Sequence, residues 1–231
     1  MDDKILAIIP ARSGSKRLKD KNIKNLNGKP MISYTIEAAL KSEIFSNVIV
    51  STDSHKYAEI AEKVGVEVPF IRPEKLAADE STTNDVILHA ISEMEKRNDG
   101  YDYFMLLQPT SPLRTAENIK RSYFLAKEKN ANAVVSVCET DHNPLWSNTL
   151  DKSLSLDNFI DKKKDQRRQE LPTYYRLNGA IYLAKVSYYK KNNDFYNDKS
   201  YAYIMNKRES IDVDDIIDFK LAEVLMEENI E

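Results

Sequence analysis

Residues 11 to 22, ARSGSKRLKDKN, group five cationic side chains around one glycine. Backbone N–H groups approach phosphate oxygens easily at glycine, and the hydroxyls of Ser13 and Ser15 add hydrogen-bonding groups. The cations would offset negative charge that is otherwise costly to desolvate. The stretch therefore suits a polyphosphate, although it has neither the two glycines of a Walker A sequence nor the GxGxxG dinucleotide fingerprint. The alternative is an ordinary solvated loop. The cations are Arg12, Lys16, Arg17, Lys19 and Lys21.

A second candidate group is SIDVDD, residues 210 to 215. In an extended chain, alternation would send Asp212 and Asp214 to one face, about 7 Å apart, with Val213 on the other. Such carboxylates suit Mg²⁺, with Mn²⁺ as a substitute, and leave ligand positions for phosphate oxygens. With the basic loop, they indicate metal-assisted phosphoryl or nucleotidyl transfer. The alternative is helix capping, which suits Asp215 best.

A third stretch, LLQPTSPLR at residues 106 to 114, follows an apolar run. Pro109 and Pro112 would stiffen a turn that presents Gln108, Thr110 and Ser111 at the carboxyl edge of a sheet. We expect this loop to face a substrate, because open α/β sheets bind ligands at that edge.

Short apolar runs alternate with helical patterns along the chain, which predicts an α/β fold with a mostly parallel sheet flanked by helices. The expected strands are Ile5–Pro10, Asn47–Ser51, Val66–Ile71, Tyr103–Leu107, Ala133–Cys138, Asn178–Leu183 and Tyr201–Met205. The expected helices are Met31–Lys41, Ser54–Val64, Asn84–Arg97, Ala116–Lys129 and Asp215–Met226. We expect one domain over residues 1–231, in which the polar stretch 139–177 forms an inserted arm.

Composition narrows the class of protein further. The 34 Lys and Arg residues nearly balance 37 Asp and Glu, so a general nucleic-acid-binding surface is not expected. A single cysteine, Cys138, excludes an intramolecular disulfide framework. The apolar stretch before Pro10 is too short for a secretory signal, and no apolar run is long enough for a membrane helix. We therefore expect a cytoplasmic protein.

An ordered set of motifs resembles the CMP-sialic acid synthetases, the cytidylyltransferases that activate nonulosonic acids. The motifs run through nearly the whole chain, and together they are far more specific than any one alone. They are PARSGSKRLKDKN, NGKPMISYTI, VSTD, RPEKLAADESTT, LLQPTSPLR, RRQELP, RLNGAIY and SIDVDD.

The resemblance implies a Rossmann-like nucleotidyltransferase fold and transfer of CMP from CTP to the anomeric hydroxyl of an acidic nine-carbon sugar, with release of pyrophosphate. It also implies Mg²⁺ and a homodimer in which the arm embraces a second subunit. N-acetylneuraminate and a legionaminate-type sugar both remain open as the acceptor. The alternatives are a cytidylyltransferase for another acidic sugar, such as 3-deoxy-manno-octulosonate, and a non-catalytic nucleotide-binding homologue.

Site residues follow from the same resemblance, position by position. Arg12 and Lys21 would contact the triphosphate, with Lys21 beside the reacting phosphate. The remaining nucleotide-binding positions are Ser15 and Asn22 in the basic loop and Arg72, Ser81 and Thr83 near the cytidine. The sugar would meet Gln108, Arg168, Asn178 and Tyr182, where a guanidinium suits its carboxylate. Asp212 and Asp214 match the metal-binding pair. The expected catalytic residues are Lys21, Arg12 and Asp214.

Two departures from the family pattern concern the pocket walls. Leu177 stands where many relatives have proline before Asn-Gly, so we expect this edge of the sugar pocket to be shaped differently. Ser81-Thr82-Thr83 replaces smaller residues found in some relatives, on the side expected to meet the cytidine.

Overall fold

A six-stranded sheet forms the centre of the computed structural model, which describes residues 3–15, 17–78, 80–97, 100–160 and 171–228. The strands of the molecule are β1 (Ile5–Pro10), β2 (Asn25–Leu26), β3 (Lys29–Pro30), β4 (Asn47–Ser51), β5 (Tyr103–Leu106), β6 (Ala133–Glu139), β7 (Tyr175–Lys185) and β8 (Ser200–Ile204). In the large sheet the order is β4-β1-β5-β7-β6-β8, while β2 and β3 pair separately. β7 runs antiparallel to both its neighbours, and the other strands of the sheet run in one direction.

Helices cover both faces of the sheet. They are α1 (Met31–Ser42), α2 (His55–Val64), α3 (Thr83–Glu95), α4 (Ala116–Glu128), α5 (Val186–Asn192) and α6 (Ile216–Glu227). Strand β1 shows how the layers form, because its side chains alternate between faces. Ile5, Ala7 and Ile9 join one core with α1, α2 and α4, whereas Leu6 and Ile8 join a second core with α3 and α5. The expected α/β class and mostly parallel sheet are therefore confirmed.

One expected strand is wrong. Residues Val66–Ile71 form only two isolated bridges with the β4 region, at Glu67 and Ile71. Pro69 lies between them and has no N–H group to donate to a ladder, so continuous pairing is interrupted. The other expected strands and helices are present with shifts of a few residues at their ends, while the β2–β3 ribbon and α5 were not predicted.

The parallel strands place three loops at one edge of the sheet. β1 leads into the basic loop, β4 leads into Thr52 and Asp53, and β5 leads into Gln108. Within the described parts of the chain, none of the helices is long and apolar enough to cross a membrane.

Candidate active site

A cleft of about 530 Å³ opens at this edge of the sheet. Its walls come from the basic loop, from the turn after β5 and from the segment before α6, so it brings together all three stretches singled out in the sequence. The polar lining residues are Arg12, Ser15, Arg17, Lys21, Asn22, Gln108, Thr110, Asp212 and Asp214.

The basic loop is closed at its base by Asn22. The buried Asn22 amide donates a hydrogen bond of 3.1 Å to the carbonyl oxygen of Arg12. Asn22 is the middle residue of a single 3₁₀ turn, Lys21–Ile23, which begins at Lys21. The loop therefore returns on itself and presents Arg12 and Lys21 to the same cleft.

Cationic and anionic side chains contact each other at the wall of the cleft. The Lys21 ammonium lies 3.0 Å from one carboxylate oxygen of Asp214, and an Arg17 guanidinium nitrogen lies 3.5 Å from the other oxygen. The Lys21 side chain is 13% exposed and that of Asp214 is 55% exposed, so the pair lies at the boundary between protein and solvent. A ligand that carries both phosphate groups and a metal cation could satisfy both members of this pair.

Asp212 is the more deeply set carboxylate. Burial raises its pKa above the usual 3.8, and the negative charge of Asp214 acts in the same direction, although a hydrogen bond from Thr110 opposes both. Its Oδ1 atom is buried and has no hydrogen-bond partner within the described residues. A buried, unpartnered carboxylate oxygen is costly unless a cation or a proton meets it. This atom therefore fits a metal ligand.

The local chain explains how both carboxylates reach the cleft. Val213 is fully buried against Leu26, Met31 and Phe219, and its N–H group donates to the Thr110 carbonyl oxygen at 2.7 Å. The expected alternation is present, although the segment is not part of a sheet ladder. Asp215 caps α6 by accepting from the N–H groups of residues 217 and 218, as predicted.

Replacing Asp212 by asparagine is expected to stabilise the metal-free protein. The folded state holds a proton on Asp212 more tightly than the unfolded chain does, so this group lowers stability as pH rises from about 3.8 through the raised pKa. At pH 7.5 the substitution removes that unfavourable charge. Thermal melting should therefore show a higher Tm, and each ~1 kcal/mol of stability gained would raise the Tm by roughly 2 to 4 °C in a protein of this size.

Added Mg²⁺ provides the control for this effect. It should raise the Tm of the wild-type protein and leave that of Asp212→Asn nearly unchanged, because the variant lacks one anionic ligand. A lower Tm for Asp212→Asn without metal would contradict the assignment of an unfavourable charge at this position.

A second cavity of about 290 Å³ adjoins the cleft and shares Pro10, Arg12 and Gln108 with it. Arg72, Ser81 and Thr83, predicted to border the cytidine, all line this cavity. The buried Arg72 side chain donates to the hydroxyl and the carbonyl oxygen of Ser51, and burial lowers its pKa to about 10. Its guanidinium is therefore held rigidly at the end of β4.

Residues predicted to meet the sugar lie in different settings. Gln108 lines both cavities. Tyr182 is partly buried on β7, with its ring 5.3 Å from that of Phe195, and burial raises its pKa to about 12. Asn178 is buried. Neither Tyr182 nor Asn178 lines the two cavities. Arg168 lies outside the described residues.

Asn178 organises the strand behind the cleft. Its amide donates to the Ser210 hydroxyl at 2.9 Å, and its side-chain oxygen accepts from the Ser136 hydroxyl at 2.6 Å. These bonds join β7 to β6 and to the start of SIDVDD. The bond to β6 is made at the position where the β6–β7 register shifts, between Val135 and Val137. Contact of Asn178 with the sugar stays a prediction.

Gly179 is a site residue that sequence reasoning missed. It has a φ of +74°, and a Cβ atom there would lie 2.8 Å from Oε1 of Gln108 and 3.3 Å from Oδ2 of Asp212. The absence of a side chain thus lets β7 approach both functional groups. A glycine inside a strand pattern signals a bulge or a close approach, and RLNGAIY carries that signal.

Replacing Gly179 by alanine is expected to reduce stability by about 1 to 2 kcal/mol, since the left-handed conformation disfavours a Cβ atom. The new methyl group should also displace the Gln108 amide and lower turnover by at least about tenfold. Urea denaturation and steady-state kinetics would measure the two effects separately.

Gly100→Ala is the matched control, because Gly100 has a φ of +92° and no atom near the position of its Cβ. It should show the conformational cost without the loss of turnover. Equal kinetic effects of the two substitutions would contradict the importance of the close approach at Gly179.

Arg114 is a second residue that sequence reasoning missed. It is 2% exposed, and its Nη1 atom donates to the carbonyl oxygens of Gln108 at 3.2 Å and Ala180 at 2.8 Å. Burial lowers its pKa to about 9. Its side chain fastens the Gln108 loop to β7, next to Gly179.

Sequence comparisons relate this chain to known proteins. Residues 6–230 match the family described as Cytidylyltransferase. The N-acylneuraminate cytidylyltransferase of Escherichia coli O18:K1:H7 (strain RS218 / NMEC) is 42% identical over 223 residues, which are 96% of this chain and 52% of that relative. This chain belongs to the cytidylyltransferase family. The resemblance to CMP-sialic acid synthetases is thereby confirmed. The chain spans about half the length of this relative.

Other family members match over nearly their full length. The CMP-N,N'-diacetyllegionaminic acid synthase of Legionella pneumophila is 39% identical over 233 residues, covering 98% of this chain and 97% of that protein. The pseudaminic acid cytidylyltransferase of Campylobacter jejuni (strain ATCC 700819 / NCTC 11168) is 31% identical, with coverage of 98% and 97%. Family members with different named sugars therefore align along nearly the whole chain.

Solved structures confirm the nucleotidyltransferase fold. A CMP:2-keto-3-deoxy-manno-octonic acid synthetase complexed with CTP has a TM-score of 0.74 at 16% identity, covering 98% of this chain and 99% of that one. The 4-diphosphocytidyl-2C-methyl-D-erythritol synthase of Anaerococcus prevotii has a TM-score of 0.66 at 11% identity, covering 98% and 100%. At these identities the likeness concerns the fold alone.

Proposed function

We propose that this family member transfers CMP from CTP to the anomeric hydroxyl of a nonulosonic acid. The hydroxyl oxygen attacks the α-phosphorus, and the bond from that phosphorus to the oxygen that bridges the α- and β-phosphates breaks. Pyrophosphate leaves with that oxygen, and the hydroxyl proton passes to solvent. The observation that carries the proposal is that Lys21 and Arg12 of the basic loop line the same cleft as Asp212 and Asp214, with Lys21 in contact with Asp214.

The cationic residues of the basic loop would act on the triphosphate. Arg12 would bind its oxygens, and Lys21 would stabilise negative charge that develops around the reacting phosphate. Lys21 is suited to this role because it already contacts an anionic group, Asp214, at the cleft surface. No Ser, Cys or His nucleophile is required, since the acceptor sugar supplies its own hydroxyl.

Asp212 and Asp214 would hold Mg²⁺, with Mn²⁺ as a substitute. The buried, unpartnered Oδ1 of Asp212 supports this role. Among the described residues, no group of three or more His, Cys, Asp or Glu side chains is arranged to hold a metal ion, so phosphate oxygens and water would complete the coordination. A bound ion would draw charge from the α-phosphate and favour ionisation of the attacking hydroxyl.

Nucleoside and sugar would occupy opposite sides of Gln108. The smaller cavity, with Arg72, Ser81 and Thr83, would take the cytidine. Gln108 and Tyr182 would border the sugar, together with Asn178 and Arg168, whose guanidinium would pair with the sugar carboxylate.

We also propose that the 139–177 arm forms a homodimer and that the enzyme works in the cytoplasm. Both ends of the arm continue strands, because Glu139 pairs with Tyr175 at the tips of β6 and β7. Its described part exposes large apolar side chains that a second subunit could cover. They are Leu150, Leu154, Leu156, Tyr175 and Leu177. Sedimentation of the wild-type protein and of a variant with Leu154 and Leu156 replaced by serine tests the dimer.

Initial rates of pyrophosphate release test the substrate class. CTP and Mg²⁺ would be combined separately with N-acetylneuraminate, N,N′-diacetyllegionaminate and 3-deoxy-manno-octulosonate, with a no-sugar control. The highest kcat/KM should belong to one of the two nine-carbon sugars. Preference for the eight-carbon sugar would favour the other acidic-sugar cytidylyltransferase, and no release from folded protein would favour a non-catalytic nucleotide-binding homologue.

A further inference from the structure

Asp53 fastens the start of the basic loop to the end of β4. Its Oδ1 atom accepts a 2.9 Å hydrogen bond from the Ser13 N–H group, and its Oδ2 atom accepts one of 2.7 Å from the Ser13 hydroxyl. Both carboxylate oxygens are thus directed to one residue, the neighbour of Arg12. Two hydrogen bonds to an ionised carboxylate fix both the position and the orientation of that residue.

Tyr57 fastens the other end of the loop. Its side chain is 1% exposed in α2, and its hydroxyl donates a 3.2 Å hydrogen bond to Oδ1 of Asp20. The Lys56 ammonium lies 4.0 Å from the other Asp20 oxygen. Asp20 directly precedes Lys21 and has a left-handed φ of 53°. Tyr57 therefore contacts the residue whose backbone directs Lys21 into the cleft.

The two attachments come from one short segment of the chain, residues 53–57. Asp53 immediately precedes Ser54, which caps α2, and Tyr57 lies in the first turn of that helix. Ser13 and Asp20 bracket the part of the loop that contains Ser15 and Arg17, both in the cleft wall. Asp53 also lies within electrostatic range of Arg72, whose pKa it raises against the effect of burial.

We propose that Asp53 and Tyr57 are positioning residues that hold the basic loop in its phosphate-binding shape before the nucleotide arrives. This inference rests on the proposed function of the cleft. Preorganisation raises affinity because the loop is already ordered in the free protein, so no binding free energy is spent on ordering it. The two residues therefore set the affinity for CTP, while the affinity for the sugar, whose predicted contacts lie on other elements, is independent of them.

Variants of both residues test the proposal. Asp53→Ala should weaken CTP binding about tenfold, since it removes two hydrogen bonds to a charged group. Asp53→Asn should restore most of the affinity, because its amide oxygen can accept from the Ser13 N–H group and its amide nitrogen can donate to the Ser13 hydroxyl. Tyr57→Phe keeps the buried ring and should weaken binding about threefold.

Asp3→Ala is the matched control. Asp3 also accepts two hydrogen bonds, from the Tyr123 hydroxyl at 2.8 Å and the Lys127 ammonium at 2.6 Å, but it lies before β1 at the opposite edge of the sheet. Its loss should leave CTP affinity unchanged. Calorimetry with CTP and Mg²⁺ gives the Kd, and steady-state kinetics give KM for CTP and for the sugar.

The expected pattern is a higher Kd and KM for CTP with an unchanged KM for the sugar. The inference is overturned if Asp53→Ala binds CTP within twofold of the wild-type protein, or if KM for the sugar rises as much as KM for CTP. If Asp53→Ala does not fold, Tyr57→Phe decides by the same criteria with its threefold effect. Failure of the wild-type protein to bind CTP would instead refute the proposed function and this inference with it.

Discussion

Replacing Asp214 by alanine is expected to lower kcat at least about 100-fold, a loss comparable to removing one electrostatic group that stabilises a transition state. The variant would lose one of two proposed metal ligands and the partner of Lys21. Its fold should remain intact, because the Asp214 side chain is more than half exposed and makes no core contact. Pyrophosphate release and thermal melting would measure turnover and fold in the same preparation.

Asp215→Ser is the matched control for this experiment. Serine is also a good helix cap, so the variant keeps the cap of α6 while it removes a carboxylate next to Asp214. Turnover should stay within about threefold of the wild-type rate, because Asp215 does not line the cleft. A small effect of Asp214→Ala, or an equal loss in both variants, would refute the assignment of Asp214.

Replacing Lys21 by methionine is expected to lower kcat by about 100- to 1,000-fold. Methionine fills similar space without the charge, so the variant tests the ammonium rather than the packing. Because Arg12 and the other cations of the loop remain, the Kd for CTP should rise much less than kcat falls. Calorimetry and single-turnover measurements would separate binding from the chemical step.

Lys24→Met is the corresponding control. Lys24 follows the same 3₁₀ turn, but its ammonium lies 5.5 Å from the centre of the Phe219 ring and does not line the cleft. The control should keep near-normal turnover. A kcat for Lys21→Met within about fivefold of the wild-type value would rule out a role for Lys21 at the reacting phosphate.

Local sequence patterns predicted much of the site because the relevant signals were local. The apolar run of β1 ends at the basic loop, and the carboxyl edge of a parallel sheet is where such a loop must lie. The period of two in SIDVDD placed Asp212 and Asp214 on one side of the chain and Val213 on the other. The order of the motifs along the chain then indicated the family, which no single motif could do.

Other features depend on contacts between distant parts of the chain. The close approach of Gly179 to Gln108 and Asp212 arises from packing of three separate segments, so a single glycine in RLNGAIY could not specify it. The buried Arg114 reads as a surface cation in sequence, but it bonds to carbonyl oxygens at positions 108 and 180. Burial of a charged side chain is set by tertiary structure rather than by local composition.

The most direct test of the central claim is the identity of the product formed from CTP. The protein would be incubated with CTP, Mg²⁺ and either N-acetylneuraminate or N,N′-diacetyllegionaminate, and the mixture analysed by ³¹P NMR and mass spectrometry. The expected product, for at least one of the two sugars, is a phosphodiester with the mass of the CMP-sugar, formed together with one pyrophosphate per molecule. Intact CTP with both sugars, or pyrophosphate together with free CMP and no diester at any time, would contradict it.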